Sequence, residues 1–139
     1  MGKKIVKSFS GATVKDMHSY VEPSKGYESD LITVHCGTND LRGSKKPDEI
    51  STAIIDLARN LKTDSNDVMV SGILPRRDKF DHKRKQVYES LKSICSELNF
   101  YFINNDNISK DSHLNNSGLH LNYNGTYAFG ANLVNAIKI

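Results

Sequence analysis

A β-branched run, Leu31-Ile-Thr-Val-His-Cys36, breaks into Gly37-Thr-Asn-Asp40, and about eighty residues later comes Gly118-Leu-His-Leu-Asn122. A strand that ends on a glycine, with an asparagine two residues on, sets a carboxamide donor, Asn39, at the C-terminal edge of a sheet. A histidine opening the last helix, His120, can reach the same edge. A polarised N–H donor and an imidazole are two parts of an acyl-transfer site: one stabilises an oxyanion and the other moves a proton. The third part is missing from the sequence, which contains neither Gly-Asp-Ser nor Gly-x-Ser-x-Gly, the turns that present a nucleophilic serine.

Each piece also has a plainer reading. Glycine, asparagine and aspartate all favour turns for backbone reasons, so Gly-Thr-Asn-Asp by itself describes a strand-to-helix turn. His120 by itself describes a packing or capping residue, with Asn122 or Asn124 as the helix cap. The two motifs carry more together than apart. Ser10 and Cys36 each precede a glycine of the expected edge and are weak substitutes for the missing nucleophile. Such a group needs its base within about 2.6 to 3.2 Å, which a strand side chain turned into the core does not offer. His18, His35, His82 and His113 show no partner spacing, and no His or Cys pair has the spacing of a zinc site. No cofactor and no metal are expected.

The elements that would position these residues follow from periodicity. Lys4 to Phe9 is a short β-branched segment closed by Ser10-Gly11, followed by a helical stripe of Val14, Met17, His18 and Val21 that Pro23 to Gly26 ends. Strand Leu31 to Cys36 leads to a helix opened by Pro47-Asp-Glu, with Ile50, Ile54, Leu57, Ala58 and Leu61 on one side. Asp67 to Ile73 is a third strand, broken by Leu74-Pro75. Val87, Leu91, Ile94, Cys95 and Leu98 mark the next helix, and Phe100 to Ile103 a fourth strand. A last helix begins within Asn122 to Gly125, with Ala128, Ala131, Val134 and Ile137 as its apolar face. Strands alternating with helices imply an α/β fold, a flavodoxin-like three-layer sandwich with a parallel sheet. In such sheets ligands collect beyond the carboxyl ends of the strands. Gly11, Asn39, Pro75 and His120 each follow a different strand.

Composition agrees with one domain over residues 1–139, since a 37% hydrophobic, 25% charged chain can bury a single core. The net charge of +3 is too mild to demand a nucleic acid partner. Its local concentration at Arg76, Arg77, Lys79, Lys83, Arg84 and Lys85 reads first as a solvated helix face and second as a weak nucleic acid contact. Behind Lys3 and Lys4 there is no apolar run of the secretory kind, and no stretch approaches the ~18 residues of a membrane span. A cytoplasmic protein with Cys36 and Cys95 as buried free thiols is expected.

Ser10-Gly11-Ala12-Thr13, Gly37-Thr38-Asn39-Asp40 and His120 resemble the second, third and fifth sequence blocks of the SGNH, or GDSL-type, hydrolases, small flavodoxin-like esterases. The likeness covers nearly the whole chain. It implies Gly11 and Asn39 as oxyanion donors, His120 as general base and a small ester as substrate. In that family a serine after the first strand attacks the ester, and an aspartate stands three residues before the histidine. Here that position is Ser117, and the family's first strand with its serine has no counterpart, so an N-terminally truncated domain, inactive by itself, is expected. The phrases Ser-Phe-Ser-Gly-Ala-Thr, His-Cys-Gly-Thr-Asn-Asp-Leu and Leu-His-Leu-Asn also resemble the SGNH-like domains of animal LINE-type retroelements. That likeness opens an alternative, a non-catalytic binding module of a retroelement ribonucleoprotein. A flavodoxin-like receiver or nucleotide-binding domain is disfavoured because both the acidic cluster and the glycine-rich phosphate loop are missing.

Overall fold

The structure is a computed structural model that describes residues 12–21, 31–63 and 66–137. The expected strand Lys4 to Phe9, with Ser10 and Gly11, lies outside these residues. Among them the order is α1 (Val14–Val21), β1 (Leu31–Val34), α2 (Pro47–Leu61), β2 (Asp67–Ser71), α3 (Asp81–Leu98), β3 (Tyr101–Ile103) and α4 (Tyr123–Ile137).

The helices start and stop for local reasons. Thr13 Oγ1 accepts the Asp16 N–H and an Asp16 carboxylate oxygen accepts the Thr13 N–H, both at 3.2 Å, a reciprocal cap on α1. Pro47 gives up no hydrogen bond at the first turn of α2, and Asp48 and Glu49 sit at its positive end. Asn99, at φ 59°, closes α3 in the left-handed conformation that asparagine tolerates better than most residues.

β1, β2 and β3 pair in that order, all parallel, with Val34 opposite Val70 and Val70 opposite Phe102. Alternation then assigns the faces. Ile32, Val34, Val68, Val70 and Phe102 pack with Val14, Ile50, Ile54, Leu57, Val87, Leu91 and Cys95 from α1, α2 and α3. Leu31, Met69 and Ile103 pack with Leu133 and Ala136 of α4. Helices therefore cover both faces of a parallel sheet, the doubly wound architecture the sequence implied.

Differences in detail have physical causes. β1 and β2 end at Val34 and Ser71, two residues earlier than expected. A Cβ on Gly72 would lie 2.2 Å from the Tyr88 ring, so the backbone passes under that ring only as glycine. β3 begins one residue late, at Tyr101. α4 docks by a different side than expected: Gly125 and Ala136 are buried, whereas Val134 and Ile137 are half exposed. The helix bears no charged residue to mark its solvent side, so periodicity alone could not choose between two apolar faces. Among the described residues no helix is long and apolar enough to cross a membrane.

Candidate active site

Beyond the C-terminal end of β1 the chain reaches Gly37 at φ 111°, a conformation strained for other residues, and tightens into a 3-10 turn over Thr38–Asp40. A Cβ on Gly37 would also lie 2.9 Å from Ile54 Cδ1. The turn presents Asn39 and Asp40 to the segment before α1. Asn39 Nδ2 donates to the Ala12 carbonyl at 3.0 Å, and Asp40 Oδ2 accepts the Val14 N–H at 3.0 Å. The two expected oxyanion segments, the one ending in Ala12-Thr13 and the one carrying Asn39, are thus joined by two hydrogen bonds. Donation to a carbonyl fixes which way the carboxamide points, and its second N–H has no partner among the described residues. Asp40 is buried, and that burial raises its carboxyl above the usual aspartate range against the pull of the Val14 N–H.

Arg76 braces this turn from the C-terminal end of β2. Its side chain is 4% exposed, pairs with Asp78 at 2.6 Å, and donates through Nη1 to the Thr38 carbonyl at 3.0 Å and Thr38 Oγ1 at 3.2 Å. Lys83 Nζ adds donations to the carbonyls of Leu41 and Gly43, each at 3.1 Å. The hydrogen bonds from Arg76 hold the Asp78 carboxyl below the usual range. Burial pushes Asp81 up, but the Arg84 side chain, the Arg76 N–H and the charges of Arg84 and Lys110 outweigh it and leave the carboxyl low. The expectation of a solvated basic face is therefore corrected at Arg76, which is buried, and most of the other cations are engaged within the fold. Arg77 donates to the carbonyls of Lys110 and Asn115, Arg84 pairs with Asp81 at 3.0 Å, and Lys85 is exposed. The physical reason is geometric: loops at a sheet edge leave carbonyls without ladder partners, and these cations supply donors to them.

His120 does not open α4. Asn122 caps that helix, its Oδ1 accepting the Gly125 N–H at 2.8 Å, and His120 lies just before it in a hairpin-like loop bridged at Leu114 and Leu121. The Asn115 N–H donates to the His120 carbonyl at 2.8 Å, and Asn122 Nδ2 donates to the Ser112 carbonyl at 2.9 Å. Ser117, standing where the family has aspartate, spends its Oγ on the backbone N–H groups of Leu119 and His120, at 3.1 and 3.3 Å. Its hydroxyl thus builds the turn and does not orient the ring. The exposed His120 imidazole has no hydrogen-bond or ion-pair partner among the described residues. The loop is tied to the sheet edge by Arg77, whose N–H donates to the Gly118 carbonyl at 2.9 Å. Adjacent residues after β2 thus link the Asn39 turn, through Arg76, and the His120 loop, through Arg77. Sequence reasoning did not single out Asp40, Asp78 and Asp81 as supports. For Asp78 and Asp81 the signal was Arg76-Arg-Asp-Lys-Phe-Asp81 a few residues after a strand, where acids are interleaved with the cations.

Cys36, expected as a buried thiol, is only partly buried, whereas Cys95 is buried. Burial, with the nearby Asp40 charge adding to it, pushes the Cys36 thiol up to about 12. At neutral pH it is expected to react with iodoacetamide far more slowly than an exposed cysteine, which thiol titration with and without denaturant measures. A raised folded-state value favours the protonated thiol, so its stabilisation is complete below pH 9 and lost as pH climbs toward 12.

Residues 2–127 match the GDSL-like lipase/acylhydrolase family. The chain belongs to that family. Solved structures of the same fold include a GDSL-like lipase from Bacteroides thetaiotaomicron, at 18% identity over 93% of this chain and 72% of that one, with a TM-score of 0.79. A variant acetyl-xylooligosaccharide esterase from Geobacillus stearmophilus is similar at 16% identity over 94% and 69%, TM-score 0.76. A psychrotrophic esterase from Pseudoalteromonas, solved with a phosphonate inhibitor, is similar at 18% over 93% and 73%, TM-score 0.73. Comparison with curated proteins returns no match.

Proposed function

We propose that this protein is a single SGNH-type domain, the hydrolase of a small carboxylic ester when a serine-bearing strand completes it and inactive as this chain alone. The reading rests on the arrangement beyond β1 and β2: an asparagine carboxamide fixed by one N–H, and, among the described residues, no partner for its other N–H or for the His120 ring, which sits on a braced loop of the same edge. Family membership supports it, and the 139 residues supply no Gly-Asp-Ser.

In the completed site a serine oxygen attacks the ester carbonyl carbon while its proton passes to His120. Charge collects on the carbonyl oxygen, where Asn39 Nδ2–H and the Gly11 N–H receive it. Collapse breaks the bond to the alcohol, which leaves with the proton from His120. Water then repeats the sequence on the acyl-serine. Ser117 cannot replace the family's aspartate in holding the imidazolium, so turnover is expected to be slow for this class. The alternative of a nucleic-acid-binding module draws no support from the basic stretch, where Arg76, Arg77, Lys83 and Arg84 are committed to carbonyls and carboxylates of the fold.

The test is turnover of a short-chain p-nitrophenyl ester. The 139-residue protein is expected to give none above buffer, and a version extended by a strand ending in Gly-Asp-Ser a measurable rate. Turnover by the short protein, or none by a folded extended one, would refute the reading.

A further inference from the structure

α4 has a second apolar side. Tyr123 is 86% exposed, Tyr127 76%, Val134 49% and Ile137 50%, and a Cβ placed on Gly130 would meet nothing within 4 Å. These positions recur at steps of four, three, four and three, so they form one seam along the helix, turned away from the side that carries the buried Gly125 and Ala136. An exposed helix face is ordinarily charged, yet the sequence Tyr123 to Ile137 contains no acid and no base.

We propose that this seam is a dimer interface in which α4 packs antiparallel on α4 of a second copy of the chain. Self-complementarity selects that occupant. With the twofold axis at Gly130, Tyr123 of one copy meets Ile137 of the other, Tyr127 falls between Leu133 and Val134, and glycine meets glycine where the two backbones come closest. Each contact places a large ring against a branched aliphatic side chain, and the one small residue falls at the crossing. Electrostatics agree: the chain carries +3, but its uncharged helix lets two copies approach without like charges meeting at the contact. A pair of four-turn helices buries less than the ~800 Å² per partner of a stable complex, so the dimer is weak and concentration-dependent.

Sedimentation equilibrium of the 139-residue protein from about 1 µM to about 1 mM reads this directly. The expected result is a monomer–dimer equilibrium that Tyr127→Lys abolishes while leaving the melting temperature unchanged, since that side chain is exposed. Under mild oxidant, Tyr127→Cys protein is expected to cross-link to Val134→Cys protein and not to itself. The native thiols compete little, because burial pushes Cys36 up to about 12 and Cys95 to about 11. A monomer throughout the range overturns the proposal, including a monomer that instead binds phosphatidylcholine vesicles. So does a dimer that Tyr127→Lys leaves intact, or self-cross-linking of Tyr127→Cys.

Discussion

Arg76→Ala is expected to lower the unfolding free energy by about 3 kcal/mol, measured by urea denaturation at pH 7. The side chain is 4% exposed and ties Asp78 to the Thr38 carbonyl and hydroxyl, so truncation leaves a void, removes the Nη1 donor from Thr38 and takes the ion-pair partner from Asp78, while the Leu41 and Phe80 N–H groups stay bound to them. Breaking a fully buried pair costs about 3 to 5 kcal/mol, and the lower end applies because Asp78 is 30% exposed and water can recover part of its solvation. The acid dependence carries a sign. Asp78 and Asp81 are held below the usual carboxylate range, so their contribution is complete above the unfolded-state value near 4 and fades as pH falls through the lower folded values. The gap between wild type and Arg76→Ala should therefore narrow below about pH 4. A difference under 1 kcal/mol at pH 7, or one constant down to pH 2, would show that Arg76 does not brace the turn.

Asn39→Ala is the kinetic counterpart. In a version of the protein completed with a Gly-Asp-Ser strand, kcat for a p-nitrophenyl ester should fall about a hundredfold or more. An oxyanion donor acts on charge that exists only after attack, and its removal costs ~2.7 to 4 kcal/mol of barrier. KM should change little. In the 139-residue protein the same substitution should leave background hydrolysis unaltered and cost only about 1 kcal/mol of stability, from the lost bond to Ala12. Equal kinetic losses in both would reveal a nucleophile already present, with Ser10 the first residue to examine.

The layered α/β fold was legible because helix stripes such as Ile50, Ile54, Leu57, Ala58 and Leu61, all of them buried, alternate with β-branched runs. The position of Asn39 was legible too, since only a glycine turn at the end of a strand lets the chain double back there. What could not be read was how the loops are held. Arg76 and Lys83 act on backbone carbonyls remote in sequence, and a carbonyl leaves no mark on the residue type that bears it. Asn122, one of the two caps the sequence offered, does cap α4, and His120, read as opening that helix, stands two residues before the cap. On α4 the absence of charge hid which side faces the sheet, and the outward seam is the residue of that ambiguity.

The account rests on His120 acting as base toward a serine supplied beside Asn39, and the rate at which that serine is phosphonylated tests it most directly. Labelling of the extended protein by a fluorophosphonate, followed by intact mass, should add one phosphonyl group on the introduced serine. His120→Ala should slow that labelling by about a hundredfold or more, the scale of general-base assistance. Labelling at the same rate with and without His120 would contradict the account.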